Sequence, residues 1–354
     1  MHSFSRRTFL AGSTLALTDM ARAAGPTKRT KIKIGQIGVG HAHAGKLAVY
    51  RRSPDYEVVG LVEPDDDLRL RAANQAAFQG LPWMTPEQLL NVPGLEAVLV
   101  ETRVRDLLPA AETCVAAGKH VHLDKPAGES LPRYRRILQA AAKQKLLVQM
   151  GYMLRYNPAV VLLGELLARG WLGEPFEVSA IMSKVVAPDV RRELANYPGG
   201  MMFELGCHVI DLVIAVLGKP ERVTPFPRHT SRLDDGLMDN MLAVLEYPKA
   251  TATVRASALE VDGFARRQLT VCGSEGTFHI QPLEPPAARV AFSQARGDYR
   301  AGYQEVRVAK YERYVADASD MAAILRGEKQ ADFSYDHDLS VQETVLRASN
   351  LPVT

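Results

Sequence analysis

This 354-residue sequence has only three cysteines and two tryptophans, and neither positive nor negative residues are in large excess. The three cysteines (Cys114, Cys207 and Cys272) are far apart and show no Cys-x-x-Cys or Cys/His spacing, so we expect buried thiols rather than a disulfide framework or a metal site. Lysine and arginine number 43 against 40 acidic residues, and they are scattered along the chain. This balance gives no electrostatic basis for a nucleic-acid partner. A hydrophobic fraction of 47% is instead typical of a globular protein.

The N-terminus carries the pattern of an export signal. Residues 5–10, Ser-Arg-Arg-Thr-Phe-Leu, match the motif that the twin-arginine translocation machinery reads. A short apolar stretch, Leu10–Leu17, and a small-x-small cleavage motif, Ala21–Ala23, follow, but the stretch is too short and polar to span a membrane. No cysteine lies nearby to carry a lipid, so we expect no stable membrane anchor. We predict that residues 1–23 are a signal peptide, that the export machinery is a partner, and that the mature protein is periplasmic. The alternative is a poorly ordered basic N-terminus.

Short apolar runs alternate with amphipathic segments up to about residue 150. Strands that alternate with helices predict a Rossmann-type, doubly wound parallel sheet, here over residues 31–150. The predicted strands are Ile32–Ile37, Glu57–Val62, Ala97–Val100, Val121–Leu123 and Leu146–Met150, and the predicted helices are His41–Arg52, Leu107–Gly118 and Leu131–Lys143.

The pattern changes after residue 150, where strand-like stretches follow one another with turns between them. Such a succession predicts a second α/β domain, residues 151–354, with a large open sheet that is antiparallel or mixed and has helices on one face. Its predicted helices are Pro158–Arg169 and Met202–Leu217, and its predicted strands are Leu242–Tyr247, Thr251–Ser257, Gln268–Cys272 and Gly276–Ile280.

A glycine turn follows the first predicted strand and opens a helix. Gly38 allows the tight turn, and Gly40 lets the backbone approach a pyrophosphate at the helix N-terminus. His43 stands where the strict dinucleotide fingerprint has a third glycine. We place His41 and His43 near the phosphates rather than on a metal, and we expect no metal ion. A glycine turn without a nucleotide is the alternative.

Glu63 closes the second predicted strand, where a carboxylate would accept hydrogen bonds from the adenosine ribose hydroxyls. Asp65, Asp66 and Asp67 follow, and we expect no arginine beside the ribose, so a 2′-phosphate would meet repulsion. The sequence therefore predicts NAD rather than NADP as the cofactor.

Lys125 follows the strand that begins near His120, in the motif Asp124-Lys125-Pro126. Because ligands of open α/β sheets bind beyond the carboxyl ends of the strands, we expect Lys125 to face the nicotinamide end of the cofactor. Its ammonium can then stabilise a developing alkoxide. A surface-turn lysine is the alternative.

Glu204, His208 and Asp211 are spaced i, i+4 and i+7, which places them on one face of an otherwise apolar helix. Ionisable groups in such a helix need partners or line a cavity. We expect His208 to act as general base and acid, with Glu204 or Asp211 fixing its tautomer. The alternative is a buried Glu–His–Asp network that only holds the domains together.

In their order and spacing, these motifs resemble the glucose–fructose oxidoreductase, inositol dehydrogenase and rhizopine catabolism (Gfo/Idh/MocA) family. The resemblance continues through Gly151–Pro158 and Asp336–Glu343. It implies a Rossmann domain, a second domain whose open sheet often forms the oligomer interface, and a homodimer or homotetramer. It also implies these assignments: Lys125, His208 and Glu204 are catalytic; Gly38, Gly40, His41, His43, Glu63, Thr102, Asp124 and Lys125 bind the cofactor; and Tyr152, Arg155 and Asp211 face the substrate.

Departures from the family pattern concern a few positions. Glu204 stands where Asp is usual, and Asp124 replaces the usual Glu. In the segment Glu101–Leu107, Arg103 occupies the place of a proline, and Leu107 that of a histidine. Arg103 or the nearby Arg105 can hold pyrophosphate or a carboxylated substrate, and the alternative for both is a solvated loop arginine.

Three functions remain open on this basis. The first is net hydride transfer between a tightly held NAD(H) and a carbinol of a sugar, polyol or sugar derivative. The second is redox-neutral glycoside cleavage by oxidation, elimination and reduction. The third is a non-catalytic nucleotide-binding protein, against which the intact pair of Lys125 and His208 argues. Release of sugar without net NADH would separate the second function from the first.

Overall fold

The computed structural model describes residues 30–354, so the signal peptide predicted for residues 1–23 lies outside the described residues. The chain forms two sheets, one of five strands and one of eight. Within residues 30–354, no helix is long and apolar enough to cross a bilayer.

The first sheet is parallel throughout, with strand order β2-β1-β3-β4-β5. Nearly all residues of β1 and β3 are buried because helices cover both faces of the sheet. The elements are β1 (Ile32–Ile37), α1 (Leu47–Arg52), β2 (Tyr56–Val62), α2 (Asp66–Ala73), α3 (Pro86–Leu90), β3 (Leu95–Val100), α4 (Val104–Ala116), β4 (His120–Leu123), α5 (Leu131–Lys143) and β5 (Val148–Met150).

The doubly wound parallel sheet is confirmed, and each of its predicted strands is present. Two helix boundaries were predicted wrongly. The helix after the glycine turn begins only at Ala44, with one 3-10 turn, Ala44–Lys46, because residues 38–43 form bends and turns instead of a helix. Helix α4 begins at Val104 instead of Leu107, so Arg105 lies in its first turn rather than in a loop.

The second sheet is mixed, with strand order β13-β12-β11-β10-β6-β9-β8-β7 and a parallel pairing between β6 and β9. Its elements are α6 (Pro158–Ala168), β6 (Pro175–Ile181), α7 (Pro188–Ala195), α8 (Cys207–Leu217), β7 (Arg222–Arg228), β8 (Asn240–Glu246), β9 (Thr251–Ser257), α9 (Gly263–Arg266), β10 (Gln268–Gly273), β11 (Gly276–Ile280), β12 (Ala288–Phe292) and β13 (Gly302–Val306). Burial alternates along β8 and β9, so one face of the sheet packs against helices and the other is open. The mixed sheet agrees with the prediction. Sequence reading missed four of the eight strands, β6, β7, β12 and β13. Pro225 and Pro227 of β7 are tolerated because β7 is an edge strand.

The last two helices, α10 (Val315–Leu325) and α11 (Tyr335–Ala348), return to the middle of the molecule. Met321 of α10 is fully buried in the same cluster as residues of β1 and β2, and the Tyr56 hydroxyl donates a hydrogen bond to the Ala318 carbonyl oxygen (2.7 Å). Helix α11 packs against both α5 and α8. The C-terminal segment therefore joins the two sheets from one side, next to the carboxyl ends of β4 and β5.

Candidate active site

The glycine turn is shaped for a close ligand approach. Gly38 has a positive φ of 93°, and a Cβ atom there would lie 2.5 Å from the backbone nitrogen of Thr102. A Cβ atom at Gly40 would lie 3.1 Å from the side chain of Leu68. The turn can therefore carry no side chain at Gly38, and its bare backbone faces the start of the following helix. These residues fit a dinucleotide pyrophosphate.

The side chain of Glu63 is hydrogen-bonded to the backbone of this turn. The carboxylate is almost fully buried and accepts hydrogen bonds from the backbone N–H groups of Val39 (2.9 Å) and Asp65 (3.0 Å). Each carboxylate oxygen keeps a further lone pair for a ribose hydroxyl. The geometry thus agrees with the place predicted for Glu63 at the end of β2.

The expectation that no arginine lies near this acidic segment was wrong. Arg103 donates a hydrogen bond from its Nη2 to Oδ2 of Asp65 (2.9 Å) because β3 lies beside β1 and brings the start of α4 next to the end of β2. The N–H group of Leu68 and the charge of Arg103 lower the pKa of Asp65. Arg105 points outward and pairs weakly with Asp106 (3.6 Å).

A buried lysine that the sequence reading missed lies beneath the turn. The ammonium of Lys46 contacts Asp124 Oδ2 (2.7 Å), Glu101 Oε1 (3.0 Å) and His122 Nε2 (3.0 Å). Because an ammonium can only donate, His122 Nε2 accepts, and its Nδ1 donates to Gln149 Oε1 (2.9 Å). Burial and the neighbouring Lys46 charge lower the pKa of His122 to about 3. No local sequence signal separates Lys46 from the many surface lysines.

The two turn histidines both contact Asp124. His41 Nδ1 and His43 Nδ1 each lie 3.2 Å from one oxygen of that carboxylate, and His41 Nε2 lies 3.0 Å from the Lys125 carbonyl oxygen. Burial lowers the pKa of His43 to about 3, so the ring is neutral near pH 7. The ligand atoms of His41, His43 and Asp124 are close enough together to hold a metal ion, but the Lys46 ammonium already occupies the same carboxylate. That no metal binds stays a prediction.

Lys125 lies just beyond the carboxyl end of β4 and is 1% exposed, which excludes the surface-turn alternative. Its ammonium donates to the carbonyl oxygen of Glu204 (2.7 Å) and lies 3.3 Å from the carboxylate Oε1 of the same residue. Burial works to lower the pKa of Lys125, but Glu204, Cys207 and Asp124 together outweigh it and the pKa is raised. Lys125 is therefore a buried cation.

Glu204, His208 and Asp211, which were predicted to share one helix face, do not form a hydrogen-bond network with one another. Met202–Gly206 make one π-helical turn before α8, and this wider turn directs Glu204 to Lys125 instead of His208. His208 Nδ1 is buried and has no hydrogen-bond partner within residues 30–354. Neither Glu204 nor Asp211 fixes the tautomer of His208, so that expectation was wrong.

His208 nevertheless lies at the centre of the site. Its ring centroid is 5.6 Å from that of His43 and 6.2 Å from that of Tyr152, which meets it edge-on. Burial and the nearby charge of Lys125 lower the pKa of His208 well below its usual range. The imidazole is therefore neutral near pH 7.

Two predicted substrate residues are instead engaged inside the protein. Arg155 makes a bidentate ion pair with Asp211 (Nη2 to Oδ1, 2.6 Å). It also makes a single contact with Asp338 (2.6 Å). The side chain of Arg155 is 3% exposed, and those of the two aspartates are 2% or less. Their polar atoms are satisfied by each other, which contradicts the substrate assignment of Arg155 and Asp211. Tyr152 keeps its place beside His208.

Tyr314 is a site residue that sequence reasoning missed. It precedes α10 with a positive φ of 69°, and its ring lies 5.8 Å from the His43 ring and 5.2 Å from the Lys46 ammonium. Nearby, the Tyr311 hydroxyl donates to the Met153 carbonyl oxygen (2.9 Å) and anchors this segment over the site. No local motif marks these tyrosines, because the segment meets the site only through the return of the chain.

Two family models match most of the chain. One, described as an oxidoreductase family with an NAD-binding Rossmann fold, covers residues 32–152, and the other, a GFO/IDH/MocA C-terminal domain, covers residues 160–279. The chain belongs to the Gfo/Idh/MocA family. It is an enzyme, an oxidoreductase that uses NAD, and the resemblance inferred from its motifs is confirmed at this level.

Curated relatives are similar at modest identity. The uncharacterized oxidoreductase YdgJ of Escherichia coli K12 is 26% identical over 274 residues, which span 73% of this chain and 74% of YdgJ. The trans-1,2-dihydrobenzene-1,2-diol dehydrogenase of Sus scrofa is 29% identical over 223 residues, which span 61% of this chain and 65% of that enzyme, just under two thirds of its length.

Solved structures share the whole architecture. An oxidoreductase from Agrobacterium radiobacter, in complex with NAD+, L-tartaric acid and magnesium, has a TM-score of 0.76 at 15% identity and covers 91% of this chain and 97% of that chain. The UDP-N-acetylglucosamine 3-dehydrogenase GnnA from Acidithiobacillus ferrooxidans has a TM-score of 0.74 at 18% identity, with coverage of 91% and 97%. At these identities the likeness establishes the fold.

The glycine turn provides a first testable prediction. Gly38→Ala should weaken NAD binding by on the order of tenfold to a hundredfold, since the added methyl meets the backbone of Thr102 and strains a positive φ. Calorimetric titration with NAD measures the change. Gly45→Ala is the matched control, because a Cβ atom at Gly45 meets nothing within 4 Å. Equal affinity in the two variants would show that the turn does not approach the dinucleotide.

Proposed function

We propose that this enzyme transfers hydride between NAD and a carbinol carbon of a sugar, a polyol or a sugar derivative. The observation that carries the proposal is that buried Lys125 lies close enough to His208 to lower its pKa, while His208 contacts His43 of the cofactor turn. One is a buried cation and the other a neutral base, which is the pair that alcohol oxidation requires. A protein that only bound nucleotide would have no use for this pair.

Each residue has a distinct task in this proposal. NAD supplies a hydride acceptor at its nicotinamide ring. His208 accepts the hydroxyl proton of the substrate, while Lys125 donates a hydrogen bond to the same oxygen as negative charge develops there. Glu204 holds the Lys125 ammonium in place and keeps it charged. Tyr152 and Tyr314 exclude water from the two sides of the histidine pair formed by His43 and His208.

The names of two relatives support this substrate class. One is a dehydrogenase of a dihydrobenzenediol, and the other is a dehydrogenase of UDP-N-acetylglucosamine at position 3. Both names specify a hydroxylated ring compound. We extend this chemistry to the present chain as a proposal.

The test is a substrate screen on the NAD-loaded enzyme. Monosaccharides, polyols and glycosides are added one at a time, and nicotinamide absorbance is followed together with sugar release. Reduction of bound NAD by an alcohol supports the proposal. Sugar release from a glycoside without net NADH would favour oxidation, elimination and reduction in its place. If no compound changes the nicotinamide absorbance or releases a sugar, a non-catalytic role is favoured.

We also propose that the enzyme is exported in its folded state with NAD bound and works in the periplasm. The support is the twin-arginine motif at residues 5–10, together with the buried setting of the cofactor-facing residues. Outside the cytoplasm there is no sustained pool of free NAD, so a cofactor that dissociated would be lost. Regeneration in place then requires either a second carbonyl substrate or the return of hydride to the same sugar.

Cofactor retention is the prediction that follows. After extensive dialysis, the mature protein should keep close to one NAD(H) per chain and should remain active without added NAD. Dinucleotide released by denaturation is quantified by absorbance. The Gly38→Ala variant, taken through the same dialysis, serves as the control that loses cofactor. A wild-type protein that emerges empty and works only with added NAD would contradict both retention and the periplasmic cycle.

The open face of the second sheet is our proposed oligomer interface, in a homodimer or homotetramer. Phe176, Phe226 and Tyr303 lie on its strands with 49%, 40% and 62% of their surface exposed. Exposed aromatic side chains of this size are enriched at protein interfaces. Light scattering of the wild type and of a Tyr303→Lys variant would test this: a mass unchanged between the two, or a monomeric wild type, would contradict it.

A further inference from the structure

Three basic side chains beside the active site have no part in the hydride chemistry proposed above. They are Lys184, which follows β6, Arg267, which precedes β10, and Arg313, which precedes Tyr314. We call them the basic group. Two of them come from loops at one end of the second sheet, and the third comes from the segment that covers His43.

Backbone contacts place the basic group next to the catalytic residues. The Lys184 backbone N–H donates to the Ser257 carbonyl oxygen (3.0 Å) at the end of β9. The turn that carries Glu204 packs on this same end of β9, since a Cβ atom at Gly206 would lie 3.4 Å from that of Ala256. Lys184 and Glu204 therefore share one end of one strand.

Arg267 is joined to the same place by its own hydrogen bonds. Its Nε donates to the carbonyl oxygen of Ser183, the residue before Lys184 (3.1 Å), and its side chain is 3% exposed. The guanidinium stacks on Phe264 with 3.7 Å between its central carbon and the ring centroid. Neither of its terminal nitrogens donates a hydrogen bond within the part of the chain that the structure describes, residues 30–354. With Nε bound to Ser183 and Nη1 facing Glu284 (3.7 Å), Nη2 keeps its donors for a ligand.

Positive charge exceeds negative charge at this place. Glu284 lies between the two arginines, with Oε2 2.6 Å from Arg313 Nη2 and 3.7 Å from Arg267 Nη1. Glu204, the carboxylate that acts on Lys184, already pairs with Lys125. Lys184 is left without an ion pair or a side-chain hydrogen bond among residues 30–354.

The titration behaviour of the group agrees with this excess. Burial lowers the pKa of Lys184, and the charges of Lys125, Arg267 and Arg313 add to that effect against the opposing effect of Glu204. Burial also lowers the pKa of Arg267 to about 10. Cations in this setting gain much more from an anionic ligand than solvated surface cations do.

We infer that the substrate is an anionic sugar derivative, whose carboxylate or phosphate oxygens are bound by Lys184 and Arg267 while its reacting carbinol lies at Lys125 and His208. This inference rests on the proposed function, which it makes more specific. Arg313 is held by Glu284 and sets the outer edge of the site. A neutral sugar would leave the partly buried Lys184 ammonium without a paired counter-charge, and Arg267 with only the 3.7 Å contact to Glu284.

The experiment compares charged and neutral forms of the same sugar. Glucuronate, glucose 6-phosphate and glucose, and likewise galacturonate and galactose, are titrated into the NADH-loaded enzyme, and nicotinamide fluorescence reports binding. Catalytic efficiency is measured for each with the NAD-loaded enzyme. We expect anionic compounds to bind at least on the order of tenfold more tightly than their neutral partners, the scale of one charge-assisted hydrogen bond. Comparing uronates with the sugar phosphate identifies the anion.

Lys184→Met removes the charge and keeps most of the side-chain length. It should reduce the preference for the anionic compound by on the order of tenfold or more and leave glucose binding unchanged. Lys184→Arg should restore most of the preference. The matched control is Lys249→Met, in the exposed turn between β8 and β9, at the far end of β9 from Lys184. Melting temperatures check that all variants fold.

The outcomes separate this inference from the function on which it rests. Selective binding of anions without any hydride transfer would support the anion site at Lys184 and Arg267 and would overturn the proposed function. Turnover of neutral sugars with no preference for anions, or a Lys184→Met variant that keeps the full preference, would overturn the inference and leave hydride transfer standing. Absence of binding by every anionic compound tested would overturn the inference as well.

Discussion

Replacing His208 with alanine is expected to lower turnover by on the order of 10²-fold or more, the usual scale for a positioned acid–base group. The reason is that this buried, neutral imidazole lies close enough to Lys125 for the lysine charge to lower its pKa. Lys125→Ala should cause a loss of similar size. Both variants should retain bound NAD, because neither side chain belongs to the turn that faces the pyrophosphate.

Rapid mixing of NAD-loaded enzyme with substrate measures the hydride step directly, and denaturing release measures the cofactor content. His279→Ala is a matched control, since this histidine lies on β11 and its Nδ1 pairs with Thr270 far from the turn (2.8 Å). Near-normal hydride transfer in both the His208 and the Lys125 variants would instead support a purely structural role for these residues. Loss of cofactor from either variant would place that residue in dinucleotide binding.

Replacing Arg155 with methionine should destabilise the folded protein by about 3–5 kcal/mol, the cost of breaking a buried ion pair on one side only. The change leaves the carboxylates of Asp211 and Asp338 buried without their shared guanidinium. His337, 3.2 Å from Asp211, is then the nearest group that can donate to these carboxylates. The free energy of unfolding, measured by denaturant titration, checks the effect.

Arg133→Met is the control for this experiment, because Arg133 pairs with Glu112 at the exposed surface. Exposed pairs contribute roughly 0–1 kcal/mol, so this variant should unfold close to the wild type. The comparison also bears on the contradicted substrate assignment of Arg155. An Arg155→Met enzyme with wild-type stability and a raised KM would return Arg155 to the substrate site.

Much of the first half of the molecule was predictable because its signals are local. Strand β1 and the glycine turn occupy a dozen consecutive residues, and a positive φ at Gly38 is a property of that one position. The motif at Asp124–Pro126 was likewise placed correctly by the rule that ligands meet the carboxyl ends of parallel strands. The second sheet was predicted less completely, since the edge strand β7 contains two prolines and its pairing with β8 depends on residues far away in the sequence.

The cofactor, the parallel sheet, and the lysine and histidine of the candidate site could all be inferred from local sequence motifs. Which charged side chains pair with each other became known from the fold. Arg103 reaches Asp65 because β3 lies beside β1, and Asp211 is bound by Arg155 because the segment after β5 packs against α8. Glycine turns and strands depend on the conformations of neighbouring residues. Buried ion pairs depend on distances between segments that are far apart in the chain, and periodic patterns in the sequence do not predict those distances.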